Sequence, residues 1–173
     1  MKSVQRYIIE TNRLRLREAT PADAAFKLAI YNSPGFLEFV GDRGLRTIED
    51  AETYLKERLI PSYEANGFGL YVVELKEDDT PVGTCGLVNR DGLNAPDIGF
   101  TFLPEHMRMG YGYESAAAVL KFGREALSIP RILAIVNPKN QKSIGLIEKL
   151  GLVFDREIQL PGDDHPISQY TTV

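Results

Sequence analysis

Residues 104–116 read PEHMRMGYGYESA, and within them Gly110 and Gly112 stand immediately before a run of helix formers. Backbone N–H groups at a helix start lack intrahelical acceptors, and the aligned peptide dipoles add positive potential there. Glycine at these positions permits φ > 0 and close approach of a ligand to the main chain. The chemistry on offer is main-chain capture of a phosphate or pyrophosphate, although a tight turn before a helix would use the same glycines. Other chemistries fare worse. Cys85, the only cysteine, lies in an apolar run with neither His106 nor His165 near it in sequence, so it reads as a buried thiol and not as the nucleophile of an acyl-enzyme. No Gly-x-Ser-x-Gly elbow is present. One cysteine and two well-separated histidines assemble no structural zinc set.

The elements that must position the loop follow from local pattern. Leu14 and Leu16 alternate with Arg13, Arg15 and Arg17, as in a half-buried strand with one basic, solvated face. Thr20-Pro21 supplies a cap and a first-turn proline for a helix through about Tyr31. Thr47 and Asp50 bracket a second helix start with Ala51, Tyr54, Leu55 and Leu59 on one side. The apolar runs 68–75 and 81–88, joined by KEDDT, predict an antiparallel hairpin. A strand over 97–103, a helix over 112–127 and the apolar run RILAIV (131–136) come next. Asn140 opens a helix ending at Leu150 with Gly151 as its left-handed stop, and strands near 152–160 and 167–173 close the chain. Two strands joined by a helix crossover, 97–103 and 131–136, must run parallel. Ligands of such open α/β sheets lie beyond the carboxyl ends of the strands, where the glycine loop is.

Bulk properties narrow the class. The chain has 173 residues, 43% hydrophobic and 25% charged, values that predict one folded domain over 1–173. A net charge of −4 argues against extended nucleic-acid binding. A lone cysteine fits a reducing compartment, and neither a signal-peptide core in the opening residues nor a run of membrane-spanning length is found. A cytoplasmic protein with no membrane partner is the expectation.

Four segments in order carry a family resemblance: ETNRLRLREATPADA (10–24), IGFTFLPEHMRMGYGYESA (98–116), NPKNQKS (137–143) and IEKLG (147–151). Together they resemble the GNAT superfamily of acetyl-CoA-dependent N-acetyltransferases, in its ribosomal-protein N-terminal acetyltransferase-like branch. Met107 stands where that superfamily's loop often has Gln or Arg, with Arg108 beside it, and Leu152 replaces the usual Phe after Gly151. The resemblance implies an α/β acyl-CoA N-acyltransferase fold. Its mixed, twisted central sheet of about seven strands would carry helices on both faces and splay between strands 97–103 and 131–136.

It further implies acetyl-CoA as cosubstrate, no metal, and acetyl transfer to a primary amine by direct attack. The acceptor would be a protein N-terminus or a small molecule, and the protein a monomer or homodimer. A non-catalytic acyl-CoA-binding or sensory module of the same fold is the alternative. By residue, the amides of Arg108, Met109, Gly110, Tyr111, Gly112 and Tyr113 would hold the pyrophosphate. The main chain of Phe100, Phe102 and Leu103 would pair with pantetheine as an added strand does. Asn137 would meet a pantetheine carbonyl, and Asn140 would cap a helix beside the ligand. Ser143 would serve the leaving sulfur as a hydroxyl donor. Asp97, with Glu74 next in line, would be the carboxylate that takes the amine proton. Residues 31–50 and 161–169, the longest irregular segments, would frame the acceptor pocket, and Asp42, Glu38, Asp163 and Asp164 would make it acidic.

Overall fold

The computed structural model describes residues 6–173, so residues 1–5 of the opening segment lie outside what is described. Eight strands form one sheet in the order β1-β2-β3-β4-β5-β6-β8-β7. They are β1 (Tyr7–Glu10), β2 (Leu14–Arg17), β3 (Leu70–Leu75), β4 (Pro81–Val88), β5 (Asp97–Phe102), β6 (Leu133–Val136), β7 (Val153–Ile158) and β8 (Ile167–Thr171). All neighbours pair antiparallel except β5 and β6. The strand beyond the expected seven is β1, four residues long, of which only Ile9 is buried.

Alternation of side chains divides the sheet into two faces. Leu14, Leu16, Val73, Cys85, Leu87 and Ile98 pack with helices α5 (Tyr111–Glu125) and α6 (Gln141–Lys149). The other face carries Val72 and is covered by α1 (Ala24–Tyr31), α2 (Pro34–Phe39), α3 (Ile48–Tyr54) and α4 (Pro61–Asn66). Helices therefore lie on both faces, as expected. The predicted helix starts hold. The Thr20 amide donates to Asp23 Oδ2 at 2.8 Å, and Thr47 and Asp50 cap each other reciprocally. Helix α4 begins with Pro61, which cannot donate and crowds the carbonyl four residues back. A π-helical turn over Leu55–Leu59 relieves this: the Ile60 amide reaches back five residues to the Leu55 carbonyl, at 2.9 Å.

The basic face of β2 is not solvated throughout. Arg17 is buried in a fork, donating to Asp23 Oδ1 and Oδ2 at 2.9 Å each and to Glu74 Oε2 at 2.9 Å. It lies under the α1–α4 layer and joins the sheet to that layer.

The parallel pair is the feature on which a site can be built. Only Asp97 and Leu133 are paired between β5 and β6, and the Leu133 amide closes this point by donating to the Pro96 carbonyl at 2.8 Å. Beyond it β6 stays with β8 while β5 stays with β4 through Phe102. The sheet is thus splayed into a V whose apex is Asp97–Leu133.

Candidate active site

The open end of the V is rimmed by two main-chain segments, the loop after β5 and the turn after β6. After a short 3₁₀ turn (Pro104–His106) the first segment runs through Met107 to Gly110, all exposed, and into α5. Two of its residues are left-handed, Arg108 at φ +63° and Gly110 at φ +81°. Gly110 is the N-cap of α5 and brings no capping side chain. Among the described residues, none of the six amides of residues 108–113 has a protein acceptor; the first helical bond comes from the Glu114 amide to the Gly110 carbonyl, at 3.1 Å. Gly112 has a different reason to be glycine. A Cβ there would sit 3.2 Å from Leu146 Cδ2, so its absence lets α6 close against the start of α5.

That contact aligns α6 with the loop. Leu146 meets Gly112, and Lys149 places its ammonium 4.4 Å from the Tyr113 ring centroid. Ser143 lies three residues before Leu146, on the same stripe of the helix. It is half-buried, and its hydroxyl has no hydrogen-bond partner among the described residues. Asn140 caps α6, its side-chain oxygen accepting from the Ser143 amide at 3.3 Å. Asn137 follows β6, and its oxygen closes a turn by accepting from the Lys139 amide at 2.9 Å, which leaves its NH₂ group without an acceptor among the described residues. Along the inner edge of the V, Phe100 is half-buried and Phe102 buried. Leu103 already uses its amide on the Val82 carbonyl and its own carbonyl on the His106 amide, at 3.0 and 2.9 Å. The edge open for main-chain pairing therefore lies within β5 and stops short of Leu103.

The carboxylates are placed otherwise than the sequence suggests. Asp97, at the apex, is only 1% exposed and is held by Arg90 Nε, 3.0 Å from Oδ1 and 3.2 Å from Oδ2. Burial pushes its carboxyl above the usual range, with Arg90 opposing. It is thus closed off from solvent and paired, not open at the strand end. Glu74 is buried against Arg17 and belongs to the interior ion pair. Cys85 is fully buried, and desolvation lifts its thiol to about 12, so it is inert as a nucleophile.

Above the apex, on the α1–α4 side, stands a group of rings that sequence reasoning did not single out. Tyr31 stacks on Phe36 at 4.4 Å and meets Tyr54 edge-on at 5.3 Å. Lys27 Nζ lies 4.1 Å over the Tyr31 ring, buried and without a hydrogen-bond partner among the described residues. Segment 31–50 is thus partly helical, with α2 inside it. Asp42 is neutralised by Arg46, whose hydrogen bond, with one from the Gly44 amide, holds it down to about 2. Glu38, Asp163 and Asp164 are exposed, and Asp164 faces His165 at 3.4 Å. Besides Lys27 over its ring, Tyr31 feels the positive charges of Arg43 and Arg90.

A further missed residue braces the loop itself. Arg13, in the turn between β1 and β2, donates from Nη1 to the Met109 carbonyl at 2.9 Å and from Nε to Glu114 Oε1 at 2.8 Å. Its guanidinium carbon lies 4.7 Å over the Tyr111 ring. Burial works to raise the Glu114 carboxyl, but Thr11 and Arg13 outweigh it and hold it below its ordinary value. The only sequence signal was an arginine in a basic strand. Among the described residues no group of three or more His, Cys, Asp or Glu could hold a metal ion, and no helix is long and apolar enough to cross a membrane.

Comparison with known proteins agrees with this geometry. Residues 13–153 match the family described as acetyltransferase (GNAT) domain. The chain is 29% identical over 151 residues to an uncharacterized N-acetyltransferase, YoaA, of Bacillus subtilis (strain 168), covering 87% of this chain and 84% of that one. Its fold is shared with an acetyltransferase from Agrobacterium tumefaciens at TM-score 0.81 and 21% identity, over 100% of this chain and 96% of that chain. It is shared too with RimL, a ribosomal alpha-N-protein acetyltransferase solved with coenzyme A, at TM-score 0.82 and 16% identity, over 97% and 98% of the two chains. An unspent row of amides at the mouth of a splayed parallel pair, together with a family match over most of its length, establishes that this chain belongs to the GNAT acetyltransferase family.

Proposed function

We propose that this chain transfers an acetyl group from acetyl-CoA to a primary amine, and that residues 108–113 hold the diphosphate. The observation that carries the reading is the set of six consecutive amides without protein acceptors, on an exposed loop at a helix start. Donors left open to solvent at a helix N-terminus suit an anion. The second support is the V. β5, six residues long, spans about 20 Å at ~3.3 Å per residue. An extended amide-bearing arm entering at the loop can follow its edge toward the apex. Asn137, on the opposite rim, offers its NH₂ group to a carbonyl of that arm.

Acetyl-CoA, when bound, supplies a thioester carbonyl for the amine to attack. The chain's residues then have two tasks. The Ser143 hydroxyl donates to the sulfur as it becomes a thiolate, lowering the barrier to its departure. Asp97, behind Arg90, takes a proton only by relay. An α-amino group, with a pKa of ~7.7–8.0, needs little such help, whereas a lysine at ~10.4 needs a great deal. A buried, arginine-paired Asp97 therefore favours an α-amino or similarly weakly basic acceptor over a lysine side chain.

The direct test is incubation with acetyl-CoA and a panel of peptides, polyamines and aminoglycosides, following release of free thiol. Coenzyme A binding without turnover on any amine would favour the non-catalytic module, for which the locked Asp97 is the supporting observation. Ser143→Ala is expected to lower kcat by about 10- to 100-fold with KM for acetyl-CoA unchanged within about threefold. A KM rise with constant kcat would remove Ser143 from the chemistry and make it a binding residue.

A further inference from the structure

We propose that Arg13 is a positioning residue for the cofactor, aiming the loop's amides outward and shielding the diphosphate from Glu114. The inference rests on the cofactor reading of residues 108–113. A trans peptide unit points its C=O and N–H in opposite directions. By drawing the Met109 carbonyl inward at 2.9 Å, Arg13 turns the Gly110 amide of the same peptide plane away from the protein. The guanidinium is fixed for this task by a second bond to Glu114 and by the Tyr111 ring beneath it. The turn bearing Arg13 is anchored in its own right, because Thr11 Oγ1 donates to Glu114 Oε2 at 2.6 Å and the Arg13 amide donates to the same oxygen at 3.0 Å.

Glu114 gives the arrangement its second purpose. A carboxylate in the first turn of α5 suits the helix dipole, yet it places a negative charge in the same turn that would receive a doubly charged diphosphate. Three donors from the β1–β2 turn converge on it. Without the guanidinium, Glu114 and the diphosphate would repel each other across the loop. Arg13 is thus more than a brace between distant segments: its charge sets the potential at the amides.

The experiment is calorimetric titration of the full chain with coenzyme A at low salt, for wild type, Arg13→Met, Glu114→Gln and the double variant, each with its thermal midpoint. Methionine keeps the stem over Tyr111 and removes the charge and donors. Arg13→Met is expected to weaken coenzyme A binding by about 10- to 100-fold, and Glu114→Gln to stay within about threefold of wild type. The double variant is expected to bind between the two single variants, because the repelling carboxylate is gone while the Met109 carbonyl still lacks its donor. A purely structural brace predicts the opposite order, with the double variant as weak as Arg13→Met or weaker and its midpoint lowest. That order, or wild-type affinity in Arg13→Met, overturns the proposal. Absence of any binding by wild type would instead overturn the cofactor reading and this inference with it. Should Arg13→Met not fold, Arg13→Lys keeps the charge without the fork and is expected to lose about threefold; a loss above about 30-fold there would assign the effect to geometry alone.

Discussion

Replacing Met109 with proline is expected to weaken coenzyme A binding by at least about 150-fold while leaving the fold standing. Proline removes the Met109 amide outright. Its ring also drives the preceding residue into extended backbone, whereas Arg108 sits at φ +63°. The Arg108 peptide must therefore rotate, and with it the direction of at least one neighbouring N–H. Charge-assisted hydrogen bonds contribute ~1.5–3 kcal/mol each, so losing two of them corresponds to about 150-fold or more. The protein's stability has little to lose here. Met109 is 53% exposed, its amide serves no acceptor among the described residues, and its carbonyl bond to Arg13 does not require the N–H. Met109→Ala keeps the amide and is the control, expected within about threefold of wild type. Titration calorimetry with coenzyme A and a thermal melt of each variant are the measurements. Binding by the proline variant within tenfold of wild type would detach the main chain of this loop from the cofactor.

How much of this was readable in the residues depends on whether a residue type dictates a backbone shape. Gly110 and Gly151 announce left-handed turns, and both have positive φ. Thr47 with Asp50, and Asn140, announce helix starts because their short side chains satisfy orphan amides locally. Those signals fixed the loop, the flanking helices and hence the position of the V. What could not be read were pairings between distant segments. Nothing local ties Arg13 to Met109 and Glu114, about a hundred positions away. Nor does LRLR distinguish a solvated arginine from Arg17, which lies under a helical layer contributed by residues 21–66. The short helix α2, with Gly35 inside it, has too few turns to show a period, and the apolar residues of β1 resemble any chain start. Of the residues expected to make the acceptor pocket acidic, Asp42 is paired with Arg46 four positions on, while Glu38, Asp163 and Asp164 stay exposed. Composition counts charges, but Arg46 cancels Asp42 in space, and Lys27, Arg43 and Arg90 add positive charge near Tyr31.

Lys27 is the most expensive of these buried charges, and its removal is expected to stabilise the protein. Lys27 is only 2% exposed, with Asp23 attracting its ammonium weakly, Arg43 repelling it, and no hydrogen-bond partner among the described residues. Burial is the main cause, with Arg43 adding to it, and together they bring its pKa from 10.5 down to about 7. Holding the proton in the folded state thus costs on the order of 4–5 kcal/mol relative to the unfolded chain. Attraction to the Tyr31 ring, 4.1 Å away, offsets about 1–2 kcal/mol of that. Below pH 7 both states carry the proton and the full penalty applies. Between pH 7 and 10.5 the unfolded chain binds more protons than the folded one, so stability rises with pH. Above 10.5 both are neutral and the penalty is gone. Lys27→Met retains the length of the side chain and gives the rings a thioether to pack on. At pH 6.5 it should therefore raise the free energy of unfolding by about 2–3 kcal/mol, or the melting midpoint by about 4–12 °C. By pH 10 the gain should shrink to about 0.8 kcal/mol. Paired denaturant titrations of wild type and variant at the two pH values isolate the lysine, because every other titrating group is common to both. A gain of equal size at both values would mean that packing, not charge burial, governs this position, and a loss at pH 6.5 would show that the ammonium has a partner strong enough to reverse the sign.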